Sequence, residues 1–93
     1  MQTYDATQAQ SALQGLSGWT FNHQGIEKTY QFQDFVEAWG FMCRVAMLAE
    51  KADHHPEWRN VYNKVEVRLS SHDAGGLTDK DLALAKQMER LLA

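Results

Sequence analysis

Three of the four histidines, His54, His55 and His72, fall in the second half of a 93-residue chain, with acids close by in sequence. Imidazole gives and takes protons near neutral pH, so such a cluster without an activated serine or cysteine suits general acid–base work. A substrate that carries its own leaving group, and loses water, fits that description. Glu50 lies four residues before His54 and, if the helix persists that far, shares its face and would orient the ring. Asp53 and Asp73 adjoin the two histidine segments and Asp81 lies further downstream, each able to fix a tautomer. Plainer readings stand beside these. Histidines at a helix C-terminus suit the macrodipole, Glu50 reads equally well as a solvated helix residue, and a capping role alone explains Asp81. Trp58 suits a core or cavity wall better than a reacting group, Pro56 is positional, and His23 reads as a surface residue. A metal site is not expected, because no H-E-x-x-H or comparable ligand pair is present.

The elements around these residues must hold them at chain turning points. Pro56 disfavours helical geometry at His55 and stops a helix near Asp53 or His54, while His72 sits where a strand runs into a glycine-bearing loop. Reactive groups at element ends can face a cleft while the scaffold holds them. Upstream, Ala9, Ala12, Leu13 and Leu16 predict a short amphipathic helix ending near Gly15 or Gly18. Trp19 and Phe21, a turn over Asn22 to Gly25, and alternation from Ile26 to Phe32 predict a hairpin.

Asp34 with Glu37 three residues on resembles a capping box and opens the second helix. Its stripe Phe35, Trp39, Met42, Ala46 and Ala49 is expected to face a sheet. A second stripe, Phe41, Val45, Leu48 and Ala52, widens the apolar face enough to predict contact with another subunit. Strands follow over Trp58–Tyr62 and Lys64–Ser71, the latter with Val65, Val67 and Leu69 on one side and charges on the other. Thr78 as N-cap, Asp81 at N3 and a Leu77–Leu82 staple open the last helix. The order α-β-β-α-β-β-α predicts a two-layer α+β domain over residues 1–93, a four-stranded antiparallel sheet with three helices on one face.

Composition narrows the function classes. Nine Lys plus Arg against twelve Asp plus Glu give a net charge of −3, leaving no cationic excess for a phosphate backbone, so direct nucleic-acid binding is not expected. The most apolar stretch, Phe35 to Ala49, contains Glu37 and Arg44 and falls short of the roughly 20 residues that span a bilayer. No membrane role is expected. Met1 to Gln10 lacks a basic segment followed by an apolar one, so a cytoplasmic location is expected. Cys43 is the sole cysteine, excludes an internal disulfide, and is expected as a buried thiol.

The segment from Glu50 through Asp53-His54-His55-Pro56-Glu57-Trp58, then Asn60 to Val65, then Ser71-His72-Asp73-Ala74-Gly75-Gly76-Leu77-Thr78 to Asp81, closely resembles the pterin-4a-carbinolamine dehydratase family. The likeness extends over the whole chain, including Phe32-Gln33-Asp34-Phe35 and Trp39-Gly40-Phe41-Met42. Ser71 stands where many relatives carry threonine. The resemblance implies dehydration of 4a-hydroxytetrahydropterin to the quinonoid dihydropterin, in recycling the tetrahydropterin used by aromatic amino-acid hydroxylases. It also implies His54, His55 and His72 as the site, with His55 as base and His54 and His72 as acids, supported by Glu50, Asp53, Pro56, Trp58 and Asp81. The pterin is then the substrate, with no cofactor. A dimer or tetramer is implied, and a hydroxylase is a possible physical partner. Some animal relatives also act as dimerisation cofactors of a homeodomain transcription factor through helical surface, which gives an alternative reading as an interaction module.

Overall fold

The computed structural model describes residues 2–93, and its elements follow the expected order: α1 (Ala6–Ala12), β1 (Thr20–Asn22), β2 (Gly25–Gln31), α2 (Phe35–Ala52), β3 (Glu57–Val61), β4 (Lys64–Leu69) and α3 (Asp79–Leu91). The strands form one open antiparallel sheet in the order β1-β2-β4-β3. Alternation decides which face is covered. Ile26 and Tyr30 of β2 and Val65, Val67 and Leu69 of β4 are buried with the inner residues of the helices, while Glu27, Thr29, Glu66 and Arg59 stand on the other face. At the centre, the Tyr30 and Phe41 rings lie 4.7 Å apart and Phe32 and Phe41 5.1 Å apart. Phe41 is fully buried, so truncation to alanine would cost about 3–5 kcal/mol.

α1 differs from its expected span. It begins at Ala6 because Asp5 forms a capping box with Gln8, and it ends before Leu16, which is buried from a following turn. The strands β3 and β4 are shifted or shortened by a residue or two at their ends, since Tyr62 takes φ 51° in the turn and the chain beyond Leu69 leaves the sheet.

Two expectations about α2 are overturned. The covered stripe is Ala38, Phe41, Met42, Val45 and Ala49, whereas Phe35, Trp39 and Ala46 are exposed. Both candidate stripes have helical spacing, so periodicity alone could not choose between them; the aromatic contacts of Phe41 with β2 did. Cys43 accordingly lies on the exposed side rather than in the core. With Val36, Trp39 and Met47 it forms an apolar outer face. No helix among the described residues is long and apolar enough to cross a membrane.

α3 is fastened at both ends. Near its C-terminus, Glu89 accepts hydrogen bonds from Lys28 Nζ at 2.8 and 3.0 Å, from Trp19 Nε1 at 3.1 Å and from the Tyr30 hydroxyl. Partial burial would raise the Glu89 pKa, but these donors outweigh it and hold the carboxyl below its ordinary value. Burial, then the bond to Glu89, pushes the Tyr30 phenol well up. The N-terminus of α3 reaches the histidines.

Candidate active site

α2 ends because Asp53 adopts the left-handed conformation, φ 51° and ψ 44°, and the His54 N–H closes back onto the Ala49 carbonyl at 3.0 Å. Pro56 then starts the extended segment that becomes β3. On the far side, Ser71 and Gly76 form an isolated bridge, and the Ser71 carbonyl accepts from the N–H groups of Ala74, Gly75 and Gly76. Gly75 sits at φ 77°, a region open to glycine at little cost, so the loop can close tightly and present His72. His54, His55 and His72 thereby line one cavity of about 550 Å³, together with Asp53, Glu57, Ser70, Ser71, Asp73 and Lys80. That size lies within the roughly 300–1,000 Å³ of small-molecule sites.

Each histidine has its own carboxylate. His54 Nε2 lies 2.5 Å from Asp81 Oδ1, His55 Nε2 lies 2.9 Å from Glu50 Oε1, and His72 Nε2 lies 2.6 Å from Glu57 Oε1. An ionised carboxylate only accepts, so these contacts select Nε2–H in all three rings and leave Nδ1 as the nitrogen available for proton transfer. The three pairs differ in surroundings. The His54 and Asp81 side chains are 12% and 0% exposed, His55 and Glu50 57% and 82%, and His72 and Glu57 71% and 54%.

Asp81 performs two tasks with its two oxygens. Oδ2 accepts from the Thr78 backbone N–H at 2.9 Å and from Ser71 Oγ at 3.0 Å, which closes the capping box of α3; Oδ1 takes His54. Since Ser71 donates to Asp81, the Thr78 hydroxyl, 2.6 Å away, donates to Ser71. The buried carboxylate is fully satisfied, and among the described residues no buried side-chain polar atom lacks a partner.

The structure redistributes the supporting residues. Glu50 meets His55 rather than His54, because the left-handed turn at Asp53 takes His54 off the helical face and swings it to Asp81. Asp53 and Asp73 line the cavity without holding a ring. Pro56 and Trp58 do not line it; Trp58 packs partly buried against the core. Glu57, the partner of His72, was missed. Counting outward from the Tyr62–Asn63 turn places it beside Arg68 near the end of β4, a signal available once the hairpin register is known. Among the described residues no three His, Cys, Asp or Glu side chains gather as a metal-binding set.

A groove of about 570 Å³ on the uncovered sheet face is as large. Its charges neutralise one another across strands, Arg68 with Glu27 at 3.1 Å and Arg59 with Glu66 at 2.6 Å. The imidazoles that could move protons gather instead at the histidine cavity.

The family model for pterin 4 alpha carbinolamine dehydratase matches residues 2–91. The chain belongs to the pterin 4 alpha carbinolamine dehydratase family. A family relative from Rhizobium johnstonii is 52% identical, with all of this chain aligned to 94% of that one, and another from Bradyrhizobium sp. is 56% identical over 89% of this chain and 85% of its own. Both are provisionally named pterin-4-alpha-carbinolamine dehydratases. A crystal structure of a "transcriptional coactivator/pterin dehydratase" from Brucella melitensis superposes with a TM-score of 0.95 at 37% identity, covering 99% of this chain and all of that one.

Proposed function

We propose that this protein dehydrates the 4a-carbinolamine of a tetrahydropterin by histidine acid–base catalysis. The observation that carries the reading is the convergence of three carboxylate-held imidazoles on one cavity. The substrate bears N5–H beside C4a–OH. As the C4a–O bond breaks, the N5 lone pair forms the N5=C4a bond, a base removes the N5 proton, and an acid protonates the departing hydroxide to water. His55 is the base and His54 and His72 the acids in this scheme. The ionised Asp81 compensates an imidazolium at His54, so that ring can carry a proton to the leaving oxygen. Positioned acid–base help of this kind contributes about 10²–10⁴-fold. The pterin is the substrate and the scheme uses no cofactor. Its place is the recycling of tetrahydropterin for aromatic amino-acid hydroxylases in the cytoplasm.

The test is the decay of enzymatically generated 4a-carbinolamine, followed spectroscopically with and without the protein. Wild type accelerates it, and the H54A/H55A/H72A variant, folded, does not. Full activity in that variant would refute histidine catalysis.

A second reading is supported by the exposed apolar face of α2, including Phe35, Val36, Trp39 and Met47. Such a face suits burial in an interface. We assign it first to self-association as a dimer or tetramer, and as an alternative to a protein partner of the kind the word coactivator in the Brucella melitensis structure suggests. W39E should lower the sedimentation-derived mass if copies associate there. An unchanged mass together with loss of a co-purifying protein would favour the alternative.

A further inference from the structure

The loop bearing His72 is fixed through its backbone, but the imidazole itself is largely exposed and depends on another element for its orientation. Glu57 supplies that contact from the first residue of β3, where register sets it directly opposite Arg68 of β4. An arginine facing a glutamate across an antiparallel pair is its natural ion-pair partner. Here Arg68 is drawn the other way. Its Nη1 donates to the Asn22 carbonyl at 2.9 Å and to Glu27 Oε2 at 3.1 Å, and its Nη2 donates to the His23 carbonyl at 2.5 Å.

The β1–β2 turn is shaped for this. His23 and Gln24 take positive φ of 50° and 70°, and at Gly25 a Cβ would lie 3.0 Å from both Cζ and Nη2 of Arg68. With the guanidinium committed to the turn, the Glu57 carboxylate remains free for His72. We propose that Glu57 is a positioning residue of this site, holding the His72 ring by Nε2 because Arg68, its cross-strand neighbour, is tied to the β1–β2 turn. The catalytic part rests on the dehydratase reading above.

The experiment is a double-mutant cycle over wild type, E57A, H72A and E57A/H72A, with kcat and KM measured separately. E57A lowers kcat about tenfold, less than the roughly 10²–10⁴-fold of a positioned acid or base, with little change in KM. In the H72A background it causes no further loss. E57Q, whose amide oxygen still accepts from Nε2–H, restores most of kcat. R68M removes the guanidinium that faces Glu57 across the β3–β4 pair and leaves kcat close to wild type, because the tethered side chain does not compete for Glu57. Independent, additive losses from E57A and H72A would overturn the proposal, and a kcat raised in R68M would overturn the part played by Arg68. A wild-type protein that does not accelerate carbinolamine decay would refute the dehydratase reading instead. Side-chain relaxation of the His72 ring, measured by NMR without turnover, separates the two failures. A ring ordered in wild type and mobile in E57A supports the contact, whereas equal mobility in both overturns it.

Discussion

The two sides of the cavity hold their histidines by different means. On the inner side, His54 is fixed by a buried carboxylate that also starts α3 and is held in turn by Ser71 and Thr78. On the outer side, His55 and His72 are held by carboxylates open to solvent. Buried charged hydrogen bonds are costly to break, because the remaining partner loses both its ion and its water; exposed pairs exchange one solvated state for another. In the proposed mechanism the inner side thus couples chemistry to folding. The outer side leaves them separable.

The largest effect should come from D81A. It strands the His54 ring, the Ser71 hydroxyl and the Thr78 N–H together, and should cost about 3–5 kcal/mol in denaturant unfolding while activity falls. A D81A protein of wild-type stability would remove the distinction between the two sides. E50A tests the opposite limit: unfolding free energy should change by less than about 1 kcal/mol, while dehydratase turnover drops through the loosened His55. Equal loss of stability in E50A and D81A would again erase the contrast.

D53G sharpens it further. Glycine tolerates the left-handed backbone at this helix end, so stability should stay within about 1 kcal/mol of wild type, yet the cavity loses a carboxylate. Reduced carbinolamine turnover at unchanged stability would assign the aspartate side chain to substrate handling, and full turnover would assign it to the turn alone.

The smallest effect on turnover is expected far from the cavity, at Glu89. Its folded-state pKa lies below the ordinary 4.5, so its contribution to stability is complete above that pH and is lost as pH falls through the folded value. Wild type and E89Q should therefore differ in unfolding free energy at neutral pH and converge in acid. A difference that persists unchanged into acid would exclude the ionised carboxylate as its source.

Much of this organisation was legible in the chain. The α-β-β-α-β-β-α order follows from switches between helical and alternating periodicity, and Thr78 with Asp81 announced the start of α3. The three histidines declared themselves by residue type and by lying at element ends. What failed depends on information that spacing does not carry. The covered stripe of α2 was misassigned because two stripes fit the period and only contact with the sheet selects one. The pairing of Glu50 with His54 holds only if the helix continues through His54, and one left-handed residue at Asp53 redirects that ring. Glu57 escaped because its partner is fifteen residues away, across a turn and a loop whose register and closure bring them together.

Asp81 has a consequence for judging relatives that have lost the reaction. Selection to start α3 would retain an aspartate there even after the cavity ceased to act on anything, since Oδ2 serves the helix irrespective of Oδ1. Its presence in a distant sequence is therefore poor testimony of activity. The solvent-facing His55 and His72, which little in the framework requires, should be the first to drift and are the better markers of a living enzyme.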